Sequence, residues 1–186
     1  GSKIVWDIHY SNGGEDITDT VELGIYFYPQ GQEPKFRQVL HLMGATNAGG
    51  VDIPPNTVKA TEGYFVMREN GRVESYQPHM HLRGKAMSME AILPTGQVAM
   101  LSHVGYFNFI WHNSYVYPDD AAPLLPKGTI VKVTGWHDNT SANANNPDPN
   151  VWVGYGDRTV DEMAHAWVNV TYMGDDDFKS ELETRK

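Results

Sequence analysis

Two histidines one residue apart, in His79-Met80-His81, are the residues whose type and spacing best suit chemistry. On a β-strand, side chains at i and i+2 point to the same face, so both imidazoles can reach one metal ion. On a helix the same spacing would set them about 200° apart and no ion could be shared. Met80 would then point to the opposite face, as a core residue. The chain contains no cysteine, which excludes disulfides, thiolate metal sites and cysteine nucleophiles together. A metal must therefore be held by imidazole, carboxylate or thioether. Eight His and eight Met in 186 residues favour imidazole with thioether, a pairing that suits copper and above all Cu(I).

That chemistry requires strands, and the flanking sequence is patterned for them. Runs with β alternation or β-branched and aromatic enrichment occupy residues 3–10 (KIVWDIHY), 21–28 (VELGIYFY), 35–43, 60–67, 73–82, 86–93, 98–104, 128–136 and 163–173. Gly, Pro and Asn clusters separate them, drawn from 18 Gly and 11 Pro, which argues for an all-β protein of about eight or nine strands. Asn70-Gly71 occupies the two-residue slot of a tight hairpin, and Pro94-Thr95-Gly96 joins the strands on either side of it. Residues 138–158 form a long polar loop, of the kind kept for function or recognition. Residues 174–186 make an acidic tail or short helix.

The whole chain, residues 1–186, is expected to be one domain, with Gly1-Ser2 a cloning scar on a piece of a longer protein. The net charge of −9 disfavours nucleic acid and anionic membranes as partners. No apolar run reaches the roughly 18 residues of a membrane-spanning helix.

The order of motifs goes further than any one of them. HMHLRGKAM at residues 79–87, LPKGT at 125–129 and DEM at 161–163 follow IPPN at 53–56, and DNTSANANNPDPN fills residues 138–150. This series resembles the copper type II, ascorbate-dependent monooxygenases, the family of the peptidylglycine and dopamine monooxygenases, in a bacterial-type member. The resemblance runs from about residue 20 to residue 173, and it covers the domain that holds the oxygen-activating copper. It implies an antiparallel jelly-roll β-sandwich. It also implies that His79, His81 and Met163 are catalytic as the ligands of one copper ion, where oxygen binds and substrate hydrogen is abstracted. Two neutral imidazoles and one thioether leave a coordination position open and favour Cu(I). The alternative for Met163 is an ordinary core methionine. Ascorbate is implied as reductant and a periplasmic or secreted location as setting.

The same resemblance shows what is missing. Complete family members carry a second, electron-storing copper on three histidines, two of them an adjacent pair, and no His-His pair occurs here. Asp7-Ile8-His9-Tyr10 is similar to the strand motif of the third, so His9 is either a remnant metal ligand or an idle strand histidine. An upstream copper or redox domain is the expected partner. The cationic clamp that the peptide hydroxylases close on the substrate carboxylate is also lost, because Gln77, His165 and Trp167 stand at the positions of its Arg, Asn and Tyr. A small uncharged or aromatic substrate, acting with O2, is expected to meet those three residues. His165 shares the face of Met163 and is a possible further ligand or substrate contact. His137 is read as ordering Asp138, and His41, His103 and His112 as structural or surface residues.

Three other readings compete. A cupin also uses His-x-His to hold iron or manganese, but its Glu follows closely, and the next acid here is Glu90. A periplasmic copper-binding or delivery module would use the same ligands without turnover. A zinc hydrolase would need Glu162 or Asp161 to face the metal, and alternation allows only one of Glu162 and Met163 to do so.

Overall fold

The computed structural model describes residues 3–6, 8, 10, 13–46 and 49–185. The chain divides into two units, Gly1–Pro34 and Lys35–Lys186. In the first, none of the described residues forms a strand or helix, and Trp6, Ile25, Tyr26 and Phe27 are exposed. The strands expected at 3–10 and 21–28 are therefore corrected. Their alternation is real, but a strand exists only with a ladder partner, and none pairs with these segments among the described residues. His9, the possible remnant ligand, lies outside the described residues.

The second unit contains eleven strands: β1 Gln38–Ala45, β2 Asp52–Ile53, β3 Val58–Val66, β4 Gly71–His79, β5 Gly84–Ile92, β6 Val98–Val104, β7 Tyr115–Val116, β8 Leu124–Leu125, β9 Ile130–Asp138, β10 Val153–Gly154 and β11 Ala164–Tyr172. Eight of them make two antiparallel sheets in the orders β1-β11-β4-β7 and β3-β9-β5-β6. The chain crosses between the sheets at almost every connection, which is the interleaved double Greek key of a jelly roll. Of the remaining strands, β8 adds to β4, and β2 pairs with β10. A single helix among the described residues, α1 Asp175–Thr184, follows β11, with Asp175, Asp176 and Asp177 in its first turn, where negative charge suits the dipole.

The core lies between the two sheets and is rich in sulfur. Met43, Met67, Met80, Met87 and Met89 are all essentially fully buried there, with Tyr76, Val133 and Val168. Most of the methionine excess thus fills the sandwich, where a flexible thioether packs irregular gaps.

Asn70-Gly71 does not make the expected tight hairpin. β3 pairs with β9 while β4 pairs with β11, so this connection crosses between sheets, and the Asn70 side chain takes the Lys127 N–H and donates to Asp175. Pro94-Thr95-Gly96 does close the β5–β6 hairpin, with Gly96 at φ +85°.

Candidate metal centre

β4 and β11 lie side by side, with His79 opposite His165 in antiparallel register. Ala164, Ala166, Val168 and Val170 of β11 face the core, as do Tyr76 and, just beyond β4, Met80. Alternation then sends Gln77 and His79 from β4, and His165, Trp167 and Asn169 from β11, to the outer face of the sheet. Met163 immediately precedes β11, and extending the register by two residues sets it across from His81. The two ends of the His-x-His and Asp-Glu-Met motifs therefore meet on the outside of the jelly roll.

The imidazoles cluster there. The His79 and His81 ring centroids are 5.3 Å apart with planes crossing at 85°. Two imidazoles bound to one ion at about 2.0 Å in tetrahedral geometry have centroids about 5 Å apart, so this pair fits a shared ion. His165 stacks on His79 at 4.8 Å and only 22°. Ring planes of imidazoles that share an ion both pass through it, and nearly parallel planes through one point would coincide rather than stack. This geometry makes His165 a packing neighbour of His79. Burial, and next the proximity of His81, lower the His165 pKa to about 4, which keeps its ring neutral near pH 7.

His112 also belongs to the cluster, 4.9 Å from His79 at 75°. Read from sequence as a structural or surface residue, it packs on Phe107 and Phe109 within this cluster. It arrives on the loop between β6 and β7, where no strand periodicity could have placed it. Among the described residues no three His, Asp or Glu side chains already converge as a coordination set. A set of two imidazoles and the Met163 thioether is a different combination.

A buried layer of hydrogen bonds orients these side chains. His81 Nδ1 lies 3.0 Å from the Asp161 carbonyl. A carbonyl only accepts, so Nδ1 carries the proton and Nε2 keeps its lone pair, the tautomer a metal ligand needs. Glu162 is fully buried, and its carboxylate accepts the backbone N–H groups of His81 at 2.9 Å, Arg83 at 2.6 Å and Met163 at 3.3 Å. His137 Nε2 donates to the Met163 carbonyl at 3.0 Å, so this histidine fixes the methionine rather than Asp138. Arg83, also buried, donates to Asn139 Oδ1 at 2.8 Å and to the Val160 carbonyl at 2.9 Å, pinning the start of the long polar loop and the segment just after it. Asp161 is engaged by Arg158 at 2.7 Å. With both acids already committed, nothing in this layer favours a zinc site built on Glu162 or Asp161. Glu162, His137 and Arg83 were not readable as a supporting layer, although the Glu of Asp-Glu-Met and the Arg of HMHLRG were in view.

Gln77 and Trp167 line a shallow cavity of about 350 Å³ on the same face, with Leu40, Ser75, Ser114 and Asn169. No charged side chain lines it. Gln77 Nε2 also donates to the His112 carbonyl at 3.1 Å, and the Trp167 ring sits edge-on to His165 at 5.8 Å, so cavity and histidine cluster share a wall.

No family model matches this chain, and no curated protein matches it. Among solved structures, the crystal structure of the infectious bursal disease virus VP2 subviral particle is similar over 80% of this chain and 37% of that chain, at 10% identity and a TM-score of 0.34. This chain thus spans well under half the length of that neighbour, and a likeness so distant carries no argument about function. The fold itself stands on its own sheet order as an antiparallel jelly-roll sandwich.

Proposed function

We propose that this chain is the copper-holding, oxygen-activating domain of an ascorbate-dependent monooxygenase acting on an uncharged C–H substrate. The observation that carries the reading is the Glu162 carboxylate, which takes the N–H of His81 and the N–H of Met163 together and so joins the two motifs at one point. His79, His81 and Met163 would hold the ion. Bound copper would supply one-electron transfer to oxygen and the oxidising power to break a C–H bond.

The rest is the work of this chain's own side chains. Asp161 and Glu162 hold His81 with its Nε2 lone pair outward, and His137 holds the Met163 backbone in place. A donor set of two imidazoles and a thioether leaves a position open and favours the reduced ion. The cavity beside it, with Gln77, Ser75, Ser114 and Asn169 as neutral polar groups and Trp167 as an aromatic wall, suits a small uncharged or aromatic substrate rather than a carboxylate. Hydroxylation consumes two electrons and one copper cycles through one, so coupled turnover calls for an upstream copper or redox domain. Such chemistry accords with a periplasmic or secreted setting.

The test is copper titration of the chain, followed by oxygen consumption with ascorbate and a panel of neutral aromatic compounds. One copper per chain is expected, lost on His79→Ala or His81→Ala, with slow oxygen consumption and far less than one product per ascorbate. Copper binding with no ascorbate-dependent oxygen consumption would favour the delivery module instead. Failure to bind copper would refute both.

A further inference from the structure

We propose that His112 is a further metal-holding residue of this centre, an imidazole that joins His79 and His81 when the ion is Cu(II). The inference rests on the copper reading above and goes beyond it, because the motifs supply only two imidazoles.

The first observation is an unsatisfied atom. His112 Nε2 is buried and has no hydrogen-bond partner, whereas the same ring bonds the Met80 carbonyl. The carbonyl accepts, so the proton sits on Nδ1 and Nε2 presents a bare lone pair. Buried acceptors are nearly always satisfied in folded proteins, so an orphaned imidazole lone pair in a histidine cluster points to a ligand.

The second observation is ring geometry. His112 meets His79 at 4.9 Å and 75°, closely matching the 5.3 Å and 85° between His79 and His81. His165 is equally near, and its Nδ1 is likewise buried without a hydrogen-bond partner, but it stacks on His79 at 22°, so it is the orphaned nitrogen together with the crossed ring planes that singles out His112.

The third is that the ring is held. Phe107 and Phe109 each pack on it at 5.4 Å, and Gln77 anchors its carbonyl from β4 at 3.1 Å. Since the described donors do not yet converge, binding must turn one or more of these rings about its own side-chain bonds, which leaves the anchored backbone in place.

The preference for Cu(II) follows from ligand softness. Cu(I) is satisfied by few ligands and a thioether, whereas Cu(II) takes imidazole nitrogen and a higher coordination number. A third imidazole would therefore act on the oxidised ion and drop in importance on reduction.

The experiment compares the wild-type chain with His112→Phe and His112→Asn, using pulsed EPR of the Cu(II) form to count imidazoles and competition titrations of both oxidation states. Circular dichroism verifies folding, and the two variants guard against a loop that tolerates only one replacement. Three coordinated imidazoles are expected in the wild type and two in each variant, with Cu(II) affinity falling roughly 10–100-fold and Cu(I) affinity nearly unchanged. Two imidazoles in the wild type, or an unaltered Cu(II) spectrum and affinity in the variants, would overturn the role of His112 while leaving the His79, His81 and Met163 site standing. A wild-type chain that binds no copper would overturn both.

Discussion

The backbone N–H of His81 meets the carboxylate of Glu162 at 2.9 Å, although the two residues are 81 positions apart in the chain. Glu162 is wholly buried, and the same carboxylate receives Arg83 N–H at 2.6 Å, so one side chain closes the end of β4 onto the approach to β11.

Replacing Glu162 by Gln keeps the shape and removes one acceptor oxygen, leaving a buried amide N–H₂ facing backbone donors. A buried donor left unsatisfied costs about 1–3 kcal/mol. Urea unfolding should show that loss. Copper affinity of the folded variant should fall by roughly 10–100-fold, as expected when a group that orients metal ligands is lost. Unchanged stability and affinity would mean that Glu162 is not the clamp described.

Gly63 of β3 and Gly44 of β1 bring the backbones of the two sheets into direct contact. A Cβ on Gly63 would fall 1.9 Å from the Gly44 carbonyl carbon, and backbone atoms cannot turn aside as a side chain can. Gly63→Ala should destabilise the sandwich by roughly 3 kcal/mol, the upper part of the overpacking range. Thermal unfolding checks it, and a variant as stable as the parent would show that β1 and β3 can separate without cost.

Acid sensitivity has a source away from the metal centre. His41 Nε2 shares a hydrogen bond with the Tyr172 hydroxyl at 2.8 Å and the ring packs on Phe65, in a cleft also lined by Arg37, Arg68 and Glu69. Burial lowers the His41 pKa below its ordinary value of about 6.5. The unfolded chain therefore takes up this proton first as pH falls. The native state loses stability as pH drops below about 6.5, until the folded pKa is passed and the loss levels off. Urea midpoints measured at pH 7.5 and 5.5 should differ less for His41→Phe than for the wild type. An identical pH dependence in the two would remove His41 as a contributor.

The His79 and His81 pair was legible because side-chain alternation is a local property, two residues long, and here it carries one step past the end of β4 to His81. The all-β class was legible for the same reason, summed over the runs from residue 35 onward, whereas the jelly-roll architecture was implied by the family resemblance. Alternation at 3–10 and 21–28 misled because it reports a side chain's preference and not the presence of a neighbouring strand. Asn70-Gly71 misled similarly: its turn chemistry is local, whereas the assignment of β3 and β4 to opposite sheets is decided by β9 and β11 far along the chain. His112 and the Glu162 clamp were hidden for a related cause, since a loop histidine and a carboxylate that binds remote backbone leave no periodic trace.

X-ray absorption of the Cu(I)-loaded chain reads out whether the thioether of Met163 completes a copper site with His79 and His81. A sulfur scatterer should be present in the wild type and absent in Met163→Ile, with Cu(I) affinity falling in the variant while a histidine-only Cu(II) site persists. A wild-type spectrum without sulfur, or a Cu(I) affinity that Met163→Ile leaves unchanged, would rule out Met163 as a copper ligand.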